Sequence, residues 1–137
     1  MESRINRLFL TLIAALAISA NANAGCTSTQ FAGAWDVAFS DGNSCRLVVD
    51  QEGDVLIEPD RSQSTCFDPF RGVTVPDEGS YSVSKDCTVS FALIVEGATV
   101  ELYGRVVQPR IFGTGIYVTY IPEVFAEKGS FNMVRVK

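Results

Sequence analysis

From residue 79 to residue 95, apolar and polar side chains alternate almost without a break. Tyr81 and Val83 alternate with Ser80, Ser82 and Ser84. After a turn at Lys85-Asp86, Val89, Phe91, Leu93 and Val95 alternate with Thr88, Ser90 and Ala92. A period of two is what a strand with one buried face requires, so the stretch reads as an antiparallel hairpin. The same rhythm recurs elsewhere. Trp35, Val37 and Phe39 mark one inner face, Cys45, Leu47 and Val49 a second, and Val100, Leu102, Gly104 and Val106 another. Residues 55–58 make a short strand ended by Pro59, and residues 111–121 and 130–137 are strand-like, with Met133 facing inward. Gly113 and Gly115 suggest a bend or bulge. Loops are expected at 108–110 and 122–129. No stretch after residue 25 holds a 3.6-residue period over three turns.

Short strands separated by Gly, Pro and Asp turns predict an all-β domain. Short connections make consecutive strands pair as an antiparallel up-and-down meander. A closed barrel of about eight strands leaves no exposed edges, and it is the expected architecture. The rhythm marks nine candidate strands. A closed antiparallel meander needs an even number, and residues 72–75 are the weakest candidate.

The N-terminus does not share this pattern. Arg4 and Arg7 precede an apolar run over residues 8–20, and Ala22-Asn23-Ala24 supplies the small residues a signal peptidase needs. Residues 1–24 are expected to be a secretory signal peptide cleaved after Ala24. The apolar run is short of the roughly 20 residues that span a bilayer. Residues 25–137 then form a single domain carrying nine basic and fifteen acidic residues, a net charge of −6. That balance argues against nucleic acid and anionic membranes as partners.

Cys26, Cys45, Cys66 and Cys87 are the four cysteines. An even count in an exported chain predicts two disulfides and an oxidising compartment, periplasmic or extracellular. Three connectivities are open. With nine strands, Cys45, Cys66 and Cys87 share one rim, which favours Cys66–Cys87 and leaves Cys26 with Cys45. If residues 72–75 are not a strand, that pairing becomes harder, because bridged Cα atoms must lie within about 7 Å.

The sequence contains no histidine. This removes Ser-His-Asp and Cys-His arrangements and the commonest general base. No C-x-x-C pair or Gly-rich helix-opening loop is present, so zinc, redox and nucleotide sites are not indicated. The acids between Asp50 and Asp54 lack the spacing of a calcium loop and read as a polar turn. Glu96 and Glu101 flank another turn and read as solvated. No cofactor or metal is expected, and binding is favoured over catalysis.

Two places are candidates for binding. One is the barrel interior, where Trp35, Phe39, Tyr81, Phe91 and Leu102 would line a cavity for a small apolar ligand or simply fill the core. The other is the long segment 59–71, where Phe67 and Phe70 bracket Asp68-Pro69 beside Cys66. Aromatics on a tethered loop suit a protein partner or a protease-inhibitor-like role, because tethering lowers the entropy lost on binding. The alternative is that both rings fold back over the barrel mouth. Tyr103 and Tyr117 are expected to form an outward aromatic patch.

The segment Gly79-Ser80-Tyr81-Ser82-Val83-Ser84-Lys85-Asp86-Cys87-Thr88 resembles a G-x-Y-x-V-x-x-D-C-T pattern of small secreted proteins of unassigned function. Those proteins look like lipocalin-type or allene-oxide-cyclase-type barrels. Gly33-Ala34-Trp35 is similar to the G-x-W that opens lipocalins. The resemblance implies a barrel fold, with ligand binding by analogy. No cyclase site residue can be matched to a position here, and a small barrel enzyme of that type stays an alternative only.

Overall fold

The structure, a computed structural model, describes residues 25–57, 63–108, 111–122 and 125–136. The expected signal peptide, residues 1–24, lies outside the described residues, as do residue 58 of the expected strand 55–58 and residues 59–62 of the long segment.

Among the described residues the fold is all-β apart from one helical turn. Helix α1 (Ser28–Phe31) leads into β1 (Gly33–Phe39) and β2 (Ser44–Val49). Next come β3 (Thr65–Asp68), β4 (Gly72–Thr74), β5 (Glu78–Val83) and β6 (Thr88–Val95). Then follow β7 (Ala98–Gln108), β8 (Phe112–Ile121) and β9 (Phe125–Arg135). They form one nine-stranded sheet in the order β4-β3-β2-β1-β9-β8-β7-β6-β5. Every neighbouring pair is antiparallel. The meander therefore closes β1 onto β9 and is interrupted between β4 and β5.

This corrects the expectation of a closed eight-stranded barrel: the sheet is an open half-barrel. The cause is parity. With β1 antiparallel to β9, the alternation makes β4 and β5 run the same way, and they form no ladder. A crosspiece, residues 53–56, spans part of the gap. Val55 bridges Val49 of β2, and Asp54 bridges Ser80 of β5. Leu56 N donates to Val48 O at 2.7 Å, and Tyr81 N donates to Gly53 O at 2.8 Å. The expected strand at 55–58 is this crosspiece, held by isolated bridges. Residues 72–75, the doubtful candidate, do contain a strand, β4. The segment 59–71, expected to be irregular throughout, contains β3.

The two ends of the sheet differ. At the α1 end, Phe31 stacks on Trp35 with centroids 4.6 Å apart and lies 5.4 Å from Tyr81 and 6.0 Å from Phe91. Residues of β1, β5 and β6 thus meet around one ring, which curls the sheet about a single core. Trp35 Nε1 donates to Phe31 O at 2.9 Å. Arg135 of β9 reaches across: its guanidinium lies 5.3 Å from the Trp35 ring centroid and donates to the carbonyls of Gln30, at 3.0 Å, and Ala32. Gly33 makes room for it. A Cβ there would sit 2.9 Å from the guanidinium, on a backbone with φ +133°.

The disulfides are Cys26–Cys87 and Cys45–Cys66. The favoured Cys66–Cys87 and Cys26–Cys45 pairing is thus replaced. Cys45 and Cys66 are directly opposed across β2 and β3, with Cα atoms 4.0 Å apart. The lead-in carries Cys26 to the β5–β6 turn, where Cys26 N donates to Lys85 O at 3.1 Å. The central hairpin turns where expected. Hydrogen bonds from Ser84 and Thr88 hold the Asp86 carboxyl down to about 2.

Of the two glycines only Gly113 borders the register shift, which lies on the partner strand between Val106 and Gln108 of β7, opposite Gly113 and Phe112. Gly115 permits close approach, since a Cβ there would clash with the Tyr103 carbonyl oxygen. Strand β9 takes up much of the expected 122–129 loop.

Candidate functional site

Strands β1, β3, β6 and β8 end, and β2, β4, β7 and β9 begin, at the end of the sheet away from α1. This is the mouth. A cavity of about 110 Å³ opens here. Its walls are Phe39, Leu93, Val95 and Tyr117, together with the Cys45–Cys66 bridge. Phe39 and Tyr117 meet edge to face at 5.1 Å. Three carboxylates, Asp41, Asp68 and Glu96, line the rim with one guanidinium, Arg71. Arg71 and Glu96 approach to 3.5 Å with both side chains mostly exposed, an arrangement worth little to stability.

Local sequence explains each rim position. Asp41 shapes the β1–β2 turn, its Oδ1 accepting from Asn43 N at 2.9 Å. Glu96 and Gly97 both have positive φ, 50° and 82°, as a two-residue hairpin turn with the right twist needs. Burial first, and then the Asp41 charge, pushes the Tyr117 phenol up to about 12.

Beside the mouth stands the β3–β4 hairpin. Its turn is built by Asp68, whose Oδ1 accepts from Phe70 N at 2.8 Å while its carbonyl accepts from Arg71 N at 3.2 Å. Gly72, at φ 88°, returns the chain into β4. Cys66, one residue before Phe67, pins the hairpin to β2. Phe70 at the tip is 96% exposed. Phe67 and Val73 are directly opposed on the outer face, 47% and 71% exposed. They border a shallow outer groove of about 510 Å³ that also includes Val134 and the Asp36–Arg46 pair. In that pair Arg46 Nε donates to Asp36 Oδ1 at 2.8 Å, which lowers the Asp36 carboxyl and raises Arg46.

The interior candidates divide. Trp35, Tyr81 and Phe91 pack around Phe31, and Leu102 is fully buried. At that level protein side chains fill the interior. Phe39 alone of the five borders the cavity. Phe67 and Phe70 do not fold back over the mouth; both are exposed. Asp68 is half-buried, serving the turn and the rim. Tyr103 is exposed, as expected, but Tyr117 points inward, because it pairs with Leu102 across β7 and β8.

The carboxylate of Asp50 is occupied by its own turn, accepting from Glu52 N at 3.0 Å and Asp54 N at 2.9 Å. Glu101 accepts from the Tyr103 hydroxyl at 2.5 Å on the outer face. Among the described residues no group of three or more His, Cys, Asp or Glu is placed to hold a metal ion.

Sequence reasoning did not single out Asp41, Arg71 or Tyr117 for the mouth, nor Phe31 and Arg135 for the sealed end. One of these had a signal: Thr27-Ser28-Thr29-Gln30 has the spacing of a helix N-terminal box. Gln30 N does donate to Thr27 Oγ1, at 3.2 Å. Compared with protein-family models, curated proteins and solved structures, the chain matches none.

Proposed function

We propose that this chain is an exported, non-enzymatic binding protein that engages a protein partner through the β3–β4 hairpin. The observation that carries the reading is the placement of Phe70, 96% exposed at the tip of a hairpin fixed by a disulfide at its base. An exposed aromatic on a hairpin whose backbone is tethered offers a large apolar contact while little backbone entropy is lost on binding. Phe67 and Val73 extend the apolar surface down one side of the same hairpin. A finger of this kind suits insertion into a partner's groove, including that of a protease.

Several observations agree with this reading. The histidine-free sequence and the pairing of all four cysteines leave few groups for nucleophilic or acid–base chemistry. Two disulfides suit an oxidising compartment. No helix among the described residues is long and apolar enough to cross a membrane. The same reading treats the fold as lipocalin-like, with the crosspiece as its third stave and the β3–β4 hairpin added beside it. Around the α1 end the crosspiece bridges β2 and β5 in antiparallel sense, which partly covers the gap of the open half-barrel. A large apolar ligand such as a fatty acid fits less well, because Phe31 and its neighbours occupy the interior.

The test is capture of a partner from the native periplasm or medium, read by native mass spectrometry. Phe67→Ala with Phe70→Ala should abolish the captured complex while the unfolding midpoint stays put. Undiminished capture by the double variant would refute the hairpin as the contact.

A further inference from the structure

The mouth cavity has a chemistry of its own, separate from the hairpin's apolar tip. Its walls are Phe39, Leu93, Val95 and Tyr117, and its rim holds three carboxylates against one guanidinium. The net of two negative charges sits over a low-dielectric floor, which focuses the field into the cleft. Burial first, and then the Asp41 carboxylate, raise the Tyr117 phenol to about 12. A second carboxylate, Glu127, lies 3.5 Å from the same hydroxyl. Arg71 does little to cancel the field, because its side chain is 73% exposed and turned toward Glu96 at 3.5 Å.

Size narrows the occupant. A water's share of liquid volume is about 30 Å³, so a cavity of about 110 Å³ takes on the order of four water-sized groups. That suits a short alkyl chain and excludes a long acyl chain or a macrocycle. A carboxylate or phosphate would meet like charge at the rim. A neutral alkyl group would fill the floor and leave the field unused. A short apolar stem ending in a cation answers both halves of the site.

We propose that this cavity binds an alkylammonium group, with the stem against Phe39, Leu93 and Val95 and the charge among Asp41, Asp68 and Glu96. The group belongs either to a free amine or to a lysine side chain of a partner. The chemistry is the same, and the site exists without the hairpin contact.

The test is an amide-resolved NMR titration of the exported protein at pH 7 with n-butylammonium, n-butanol and butyrate. No partner is present, so failure of the hairpin reading does not bear on the outcome. Saturable shifts centred on Leu93, Val95 and Tyr117 are expected with butylammonium, with butanol and butyrate at least about ten-fold weaker. Nα-acetyllysine methylamide separates the sources. Binding comparable to butylammonium assigns the site to a lysine side chain, and much weaker binding assigns it to a free amine. Asp41→Asn keeps the acceptor that shapes its turn, and Glu96→Gln is isosteric. Each should weaken the amine about three- to ten-fold, whereas Arg71→Gln, which removes a solvent-screened charge, should tighten it by about two-fold at most. Equal binding of butanol, preference for butyrate, no saturable shift, or weakening by Arg71→Gln would each overturn the proposal.

Discussion

Phe31 and Phe70 are the same residue at opposite ends of one sheet, 4% and 96% exposed. Around Phe31 the polar groups are matched. The Trp35 indole donates to Phe31 O, Arg135 satisfies the carbonyls of Gln30 and Ala32, and the Tyr81 hydroxyl donates to Asp50 O. At the mouth a cavity stays open, three carboxylates share its rim with one guanidinium, and the Phe70 ring of the neighbouring hairpin stands in water. The contrast separates two uses of one architecture. The α1 end organises aromatic surface and hydrogen bonds to hold the sheet curled. The mouth instead spends its charged groups on turns and an exposed ion pair around an open cavity, and exposed groups on a rigid support are what binding needs.

The disulfides give the largest expected effects and sharpen this contrast, one bridge standing at each end. Cys26–Cys87 closes 61 residues and Cys45–Cys66 closes 21. By loop-closure entropy the first should contribute about 4 kcal/mol and the second about 3 kcal/mol. Paired serine substitutions, measured by denaturant unfolding, should follow that order. Loss of Cys45–Cys66 should also weaken partner capture, because it frees the hairpin. A larger stability loss at the mouth than at the α1 end would break the assignment of roles.

A smaller effect concerns alkaline pH. An unfolded tyrosine titrates near about 10, whereas Tyr117 is held up to about 12. Below about pH 10 both states keep the proton and this group leaves stability level. Between about 10 and 12 only the unfolded chain releases it, so stability falls as pH rises. Burial also raises Tyr81, at the other end, and that group adds to the same fall. Tyr117→Phe should therefore reduce the alkaline slope of the unfolding midpoint without removing it. An unchanged slope would mean that burial at the mouth does not hold the Tyr117 phenol protonated.

Most of the inner face is legible in the sequence because alternation is local. Val89, Phe91 and Leu93 fall on the buried side without knowledge of any partner strand. Tyr117 is different. It lies within Ile116-Tyr117-Val118, where either phase reads as apolar, and only its pairing with Leu102 fixes it inside. Strand β3 escapes for a related reason: Thr65 to Asp68 holds a single period, too short to stand out between Pro59 and Pro69. The cysteine pairing depends on where the lead-in packs, which the alternation of strands does not specify. The mouth is non-local as well, since its residues come from the ends of separate strands and the turns that join them.

The most direct test compares the two phenylalanines by equilibrium unfolding. Phe31→Ala should lose about 3–5 kcal/mol, as a buried aromatic truncated to a cavity does, and Phe70→Ala should stay within about 0.5 kcal/mol of the parent. Comparable losses at both positions would contradict the account, because Phe70 would then be holding the fold together and would not be free for a partner.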